Sequence, residues 1–172
     1  MNLQSNDFEL FGLPQQFAQD RTQLDVRWKA LQREVHPDNF AQQGAAQQRI
    51  AMQWSVRVNE AYQRLKNPLA RAAYLCELAN VPVDAHSNTA MPSAFLMQQI
   101  EWREAMDEAR DLQTLESLQA EVTSTHDKLM RECADLIDER ADYVAAVLQI
   151  RSLLFIEKFG RDLEQRFEAL ET

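Results

Sequence analysis

Glycine and proline are scarce: 3 Gly and 5 Pro occur in 172 residues, and long stretches hold neither. A chain so poor in turn formers is not built from many tight turns, and an all-α fold is the expectation. Cysteine is scarcer still. Cys76 and Cys133 stand far apart without Cys-x-x-Cys spacing, and read as buried structural thiols. The three histidines, His36, His86 and His126, never fall three or four residues from one another or from a cysteine, so no metal site is expected. No apolar run approaches the roughly 18 residues that a membrane span needs. The first residues, Met1-Asn2-Leu3-Gln4-Ser5-Asn6-Asp7, lack the basic region and apolar core of a signal peptide, so the cytoplasm is the expected location. There is no glycine-rich phosphate loop, no nucleophile elbow and no paired metal-ligand motif, which argues against an enzyme.

What is present is an ordinary globular composition, 45% apolar and 26% charged. The charge is divided unevenly. Residues 1–80 hold 9 Lys/Arg and 8 Asp/Glu, a net of +1; residues 81–172 hold 9 and 19, a net of −10; together they give the chain's −9. So acidic a second half disfavours nucleic acid, whose binding needs a basic face. It also suggests halves with different partners.

Apolar spacing divides the chain into helices. Phe8, Leu10, Phe11 and Leu13 predict a short helix closed by Gly12 and Pro14. Asp20 and Gln23 resemble a capping box. Leu24, Trp28, Leu31 and Val35 then recur at helical spacing. Ile50, Trp54, Val58, Ala61, Tyr62 and Leu65 predict a second long helix over 41–66, packed antiparallel on the first, with Trp28 and Trp54 in one small core. Asn67 and Pro68 read as the cap and first residue of a helix that stops near Asn80. Residues 81–91 carry Pro82, Asp84, Ser87, Asn88 and Thr89, and are expected to link two domains, 1–80 and 92–172. Pro92 is expected as the first residue of the next helix, with Phe95, Leu96, Ile100, Met106 and Ala109 on its core stripe, and Met97 and Trp102 off it. Two longer stripes, Leu112 to Ile137 and Tyr143 to Leu170, complete a three-helix bundle.

Between the first two long helices lies Val35-His36-Pro37-Asp38-Asn39-Phe40. Pro37 biases His36 out of the α region, so the preceding helix stops at about Val35. Pro37 fixes its own φ, and Asp38 and Asn39 are turn formers. The result is a stiff hairpin tip holding one imidazole and one carboxylate. Three readings compete: a plain solvated turn, an acid/base pair, and a docking contact. A tip has no pocket to exclude water, so docking suits it better than catalysis. Asp38 is an acceptor suited to a partner arginine, His36 offers donor and acceptor, and Arg27, Lys29 and Arg33 form a basic face for steering.

A helix, His-Pro-Asp, and a second helix packed back on the first resemble a J-domain. The resemblance extends over nearly the whole chain. Leu10-Phe11-Gly12-Leu13-Pro14, His36-Pro37-Asp38-Asn39-Phe40, Val58-Asn59-Glu60-Ala61-Tyr62, Leu65-Lys66-Asn67-Pro68-Leu69-Ala70-Arg71-Ala72-Ala73-Tyr74-Leu75 and Phe95-Leu96-Met97-Gln98-Gln99-Ile100-Glu101-Trp102-Arg103-Glu104 are similar to the HscB family of J-type co-chaperones in iron–sulfur cluster biogenesis. The resemblance implies an all-α fold: an N-terminal J-domain, made of an antiparallel helical hairpin with short flanking helices, and a C-terminal three-helix bundle. It implies two partners. The J-domain would engage the DnaK-class ATPase HscA and stimulate its ATP hydrolysis; the bundle would hold the scaffold protein IscU and deliver it. By motif match, His36, Pro37 and Asp38 would contact the ATPase, helped by Arg27, Lys29 and Arg33. Leu96, Met97, Ile100, Glu101, Glu104 and Phe155 would contact the scaffold. Met97 suits an adaptable contact surface, whereas Leu96 and Ile100 also fit the alternative of core residues. Asn39 replaces a Lys common in J-domains, and Gln42, Gln43, Gln47 and Gln48 make the following helix rich in Gln; both imply a narrower ATPase partner. The cysteine pairs of some relatives are lacking, so no zinc and no cofactor are expected, and no cysteine pattern would ligate a cluster.

Overall fold

The computed structural model describes residues 2–84 and 90–172; part of the expected 81–91 linker lies outside them. Among the described residues every regular element is helical, as expected. The chain forms two compact units, Met1–Leu75 and Cys76–Thr172.

In the first unit, α1 (Asp7–Phe11) opens with a complete capping box: the Asn6 side chain accepts from the Glu9 amide, and Glu9 returns to the Asn6 amide. Gly12 ends α1 at φ 63, the left-handed conformation that glycine adopts without cost. At α2 (Arg21–Val35), Asp20 accepts from the Thr22 and Gln23 amides. This cap is the carboxylate's alone, and the complete reciprocal box stands one helix earlier.

α2 and α3 (Ala45–Lys66) are joined by a 3-10 turn over Pro37–Phe40. That turn delays α3 to Ala45, later than the expected residue 41, because Gly44 at φ 95 must come first. Polar pairs record the antiparallel register. Tyr62 Oη donates to Asp25 Oδ1 at 2.7 Å, Trp28 Nε1 to Asn59 Oδ1 at 3.1 Å, and Ser55 Oγ to Gln32 Oε1 at 3.4 Å. As numbers rise on α2 they fall on α3.

The core beneath is Phe8, Phe11, Leu13, Leu24, Val35, Val58, Ala61 and Leu65, with Leu69 and Leu75 of α4 (Pro68–Leu78). The tryptophans do not share it. Trp28 is half-buried and stacks on Tyr62 at 4.4 Å, while Trp54 is half-buried beside Phe40 and Ile50, and Ile50 itself is exposed. An indole held by an edge hydrogen bond needs no central position.

Asp7 is buried at 1% exposure. Its carboxylate pairs with Arg57 Nη1 at 2.8 Å and Arg64 Nε at 3.2 Å. Its backbone N–H donates to Tyr74 Oη at 3.0 Å, and the Tyr74 ring lies under Arg64 and against Phe8. One carboxylate thus ties α1 to α3, and its amide ties α1 to α4.

In the second unit, α5 (Ser93–Glu108), α6 (Leu112–Asp138) and α7 (Tyr143–Glu171) form the three-helix bundle. Pro92 is the cap of α5; the helix begins one residue later than expected. Asp111 caps α6 through the Thr114 N–H, which holds its carboxyl below the ordinary carboxylate value. Asp142 caps α7 through Ala145. The core joins Phe95, Trp102, Met106, Leu115, Leu118, Val122, Ile156, Phe159 and Leu163. Trp102 was expected off the stripe but is its centre: it stacks on Phe159 at 5.8 Å, meets Phe95 edge-on at 6.0 Å, and donates its indole N–H to Glu121. Leu112 and Leu154, placed on the stripes by spacing, are exposed. Buried Arg151 donates to the Val83 and Ala90 carbonyls.

Replacing Asp7 by Ala removes the buried carboxylate and leaves Arg57 with only the Ser5 carbonyl and Arg64 with only the Tyr74 ring as partners among the described residues. It should cost about 3 kcal/mol, the loss expected when a buried ion pair is broken. A urea titration followed by circular dichroism measures this, and an unchanged midpoint would rule out the tie.

Candidate functional site

The first surface is the hairpin tip. His36 leaves α2 with φ −59 and ψ 129, the extended conformation that a following proline enforces. Pro37 then opens the 3-10 turn. His36 Nδ1 accepts the Asp38 backbone N–H at 3.2 Å and lies 3.6 Å from Asp38 Oδ2. With Nδ1 accepting, the neutral imidazole carries its proton on Nε2, which is left to donate outward. The Asn39 amide N–H donates to the His36 carbonyl at 3.0 Å, and the Asn39 side-chain amide donates to the Arg33 carbonyl. Asn39 therefore fastens the turn to the last turn of α2. The side chains of His36 and Asp38 are 56% and 91% exposed. Both side chains are open to solvent, so water screens the pair.

Lys29 and Arg33 are one turn apart on the outer face of α2, and both are exposed. Arg27 departs from the expected patch. It precedes Lys29 by two residues, about 200° around a helix of 3.6 residues per turn. Its guanidinium lies over Gly12, where an added Cβ would sit 3.5 Å from Nη1. The basic face beside the turn is therefore Lys29 and Arg33, and Arg27 belongs to the α1 side.

The second surface is on α5. Leu96, Met97 and Ile100 are 45%, 63% and 57% exposed, and Glu101 and Glu104 are exposed beside them. Spacing had placed Leu96 and Ile100 on the core stripe as well; the buried stripe is Phe95, Trp102, Met106 and Ala109. The five named residues lie on the opposite side of the helix. Phe155 on α7 is different: it is half-buried, edge-on to Phe95 at 5.8 Å and stacked on Phe159 at 6.2 Å. It joins the bundle core and shows its remaining edge to solvent. Sequence reasoning missed Arg103. Its guanidinium lies 6.0 Å from the Phe155 ring and 5.8 Å from Phe159, and it pairs with Asp162 at 3.7 Å. The signal was there, a lone cation among Glu101, Glu104, Asp107 and Glu108.

No group of three or more potential metal ligands occurs among the described residues. No helix among them is long and apolar enough to cross a membrane. Burial pushes the Cys76 thiol up to about 11, and burial with the neighbouring Cys76 pushes Cys133 up to about 12. Neither is a nucleophile near neutral pH.

A helical hairpin with His-Pro-Asp at its tip, in a chain that continues into a three-helix bundle, defines a J-domain protein of the type with a C-terminal helical domain. A family model described as the HSCB C-terminal oligomerisation domain matches residues 91–164. The chain is 48% identical over 157 residues to the co-chaperone protein HscB homolog of Bordetella pertussis, covering 91% of this chain and 92% of that one. It is 45% identical over 175 residues to the homolog of Burkholderia multivorans, covering 100% and 99%. Among solved structures, chaperone HscB from Vibrio cholerae matches with a TM-score of 0.83 at 34% identity, over 96% of this chain and 99% of that one. Human co-chaperone HscB shares the fold, with a TM-score of 0.89 at 23% identity, over 96% and 84%. The chain belongs to the HscB co-chaperone family.

The raised thiol values give a pH dependence. An unfolded thiol ionises near 9, whereas the folded ones stay protonated to about 11 and about 12. Stability is therefore full below pH 9 and falls as pH rises through that window. At pH 8, alkylation by iodoacetamide should proceed only as fast as the chain opens. Rapid stoichiometric labelling of the folded protein would contradict the burial.

Proposed function

We propose that the chain is a J-type co-chaperone that stimulates ATP hydrolysis by the DnaK-class chaperone HscA and delivers the iron–sulfur scaffold IscU to it, in the cytoplasm. The observation that carries this reading is the exposed tip. His36 and Asp38 are held by backbone bonds at both ends of the turn, yet their outward atoms remain unused by the chain's own fold. We assign the J-domain to residues 1–80, the linker to 81–91 and the scaffold-binding bundle to 92–172.

The division of chemistry follows from these groups. Asp38 accepts from an arginine or backbone amide of the ATPase, and His36 Nε2 donates. Pro37 keeps both from collapsing into helix. Lys29 and Arg33 steer the hairpin toward an acidic surface. ATP hydrolysis belongs to the partner, and the tip supplies a contact that favours one of its states.

On the bundle, Leu96, Met97 and Ile100 form an apolar contact edged by Glu101 and Glu104, and Phe155 adds an aromatic edge. Scattered apolar residues are normal on a surface; three on one helical face with acidic flanks suit a partner with apolar residues inside a basic rim. Support comes from the family membership and from the separation of the five α5 residues from the core; Phe155 is half-buried against that core.

His36→Gln should leave the thermal unfolding curve unchanged and remove stimulation of HscA in a steady-state ATPase assay. Normal stimulation by that variant would refute the docking role. Leu96→Ala with Met97→Ala should leave stability within about 0.5 kcal/mol, as for exposed positions. The same pair should weaken IscU binding roughly tenfold or more by calorimetry. Equal affinity would remove the α5 face from the site.

A further inference from the structure

We propose that a notch beside the His36–Asp38 turn is a socket for one apolar side chain of the ATPase that docks there, and that it helps this hairpin choose its ATPase. The notch holds about 170 Å³. Val35, Phe40, Ile50, Ala51 and Trp54 line it, with Glu34 also on its wall. Val35 and Ala51 are buried; Phe40 and Trp54 are half-buried; Ile50 is 44% exposed. A cavity of roughly 150 Å³ with aliphatic and aromatic walls accepts a benzene ring. The size therefore suits one Leu, Ile, Met or Phe.

The inference rests on the docking reading of the tip. Glu34 and Val35 immediately precede His36, and Phe40 ends the turn that Pro37 begins. Two parts of the notch wall, Glu34 with Val35 and Phe40, lie within two residues of His36 and Asp38, which puts the notch within reach of a partner seated on the turn. Charge narrows the occupant further. Glu34 and Asp38 are exposed carboxylates around an otherwise apolar recess. They favour an apolar side chain with an arginine or lysine close by in the partner.

The surroundings make the recess distinctive. Residues 41–48, with Gln42, Gln43, Gln47 and Gln48, carry no charge, so the charges nearest the recess are Glu34 and Asp38 on one side and Arg49, next to Ile50, on the other. A partly exposed Ile and Trp at the mouth are residues that a solvated helix face does not require, and Trp is enriched where interfaces concentrate their energy. The His-Pro-Asp turn supplies the switch contact; the socket supplies selectivity between ATPases that can all bind that turn.

The test is a titration of HscA ATPase activity with the full chain and its Ile50→Asp, Ile50→Gln and His36→Gln variants. Ile50 is exposed enough for both replacements to fold, which thermal unfolding checks. Ile50→Asp should raise the half-stimulating concentration roughly tenfold, the loss of one apolar contact. Ile50→Gln should raise it less, and both should reach the wild-type maximum. His36→Gln should fail at every concentration. If both Ile50 variants match the wild type while His36→Gln stays inactive, the socket is wrong and the docking turn stands. If either Ile50 variant loses maximal stimulation at an unchanged half-point, the notch is not a binding socket. If His36→Gln stimulates normally, the docking reading itself fails.

Discussion

A residue that precedes proline is pushed out of the α conformation, and the hairpin depends on that single restriction at His36. Without Pro37, α2 could run on through Asp38, and the two side chains would rotate onto different helix faces about 200° apart. With Pro37, α2 stops, a 3-10 turn forms, and the Asp38 amide comes to His36 Nδ1. The same stop sets the antiparallel return of α3, so Asp25, Trp28 and Gln32 meet Tyr62, Asn59 and Ser55 in order. The geometry of the tip and the register of the hairpin have one cause. Asp7 then fastens α1 along α3, because its two arginines stand about two turns apart on that helix.

The bundle solves a different problem. Its core is dense in aromatics, with Trp102 between Phe95 and Phe159. Rings in stacked and edge-to-face contact fix helix α5 on α7 and leave the other side of α5 with no packing duty. That free side carries Leu96, Met97 and Ile100. Phe155 stands at the transition, with two of its contacts in the core and Arg103 over its ring. A side chain in that position is oriented by the fold before any partner arrives.

The tip was legible in the sequence because proline chemistry is local. Helix existence was legible for the same reason, since periodicity persists over many turns. Faces were harder. On α5, Leu96 and Ile100 fit one helical stripe and Phe95, Trp102, Met106 and Ala109 fit another; only packing against α7 decides between them. Trp102 was misplaced because spacing carries no information about which stripe has aromatic neighbours on another helix. Arg27 joined Lys29 and Arg33 on paper because they are close in sequence, whereas α1 draws it to Gly12. Ile50 lies on the apolar stripe of α3, yet it is exposed at the recess beside Phe40 and Trp54, where no further element covers it among the described residues. Boundaries and faces failed where a distant element decided the outcome.

The two surfaces differ in the kind of energy they can deliver. The tip offers a few solvated polar atoms, and charge contacts there are screened within about 8 Å at physiological salt. Such contacts set orientation and encounter rate more than affinity. The α5 face offers apolar area, which gives affinity in proportion to what a partner covers. Under the proposed function, the α5 face would hold a client while the tip touches an ATPase briefly, and that division of roles needs this inequality. An equally sticky tip would keep the ATPase from leaving after each cycle. The proposed apolar socket beside the polar turn would be a compromise between the two demands: it would add selectivity for one ATPase through the burial of a single side chain and leave the contact short-lived.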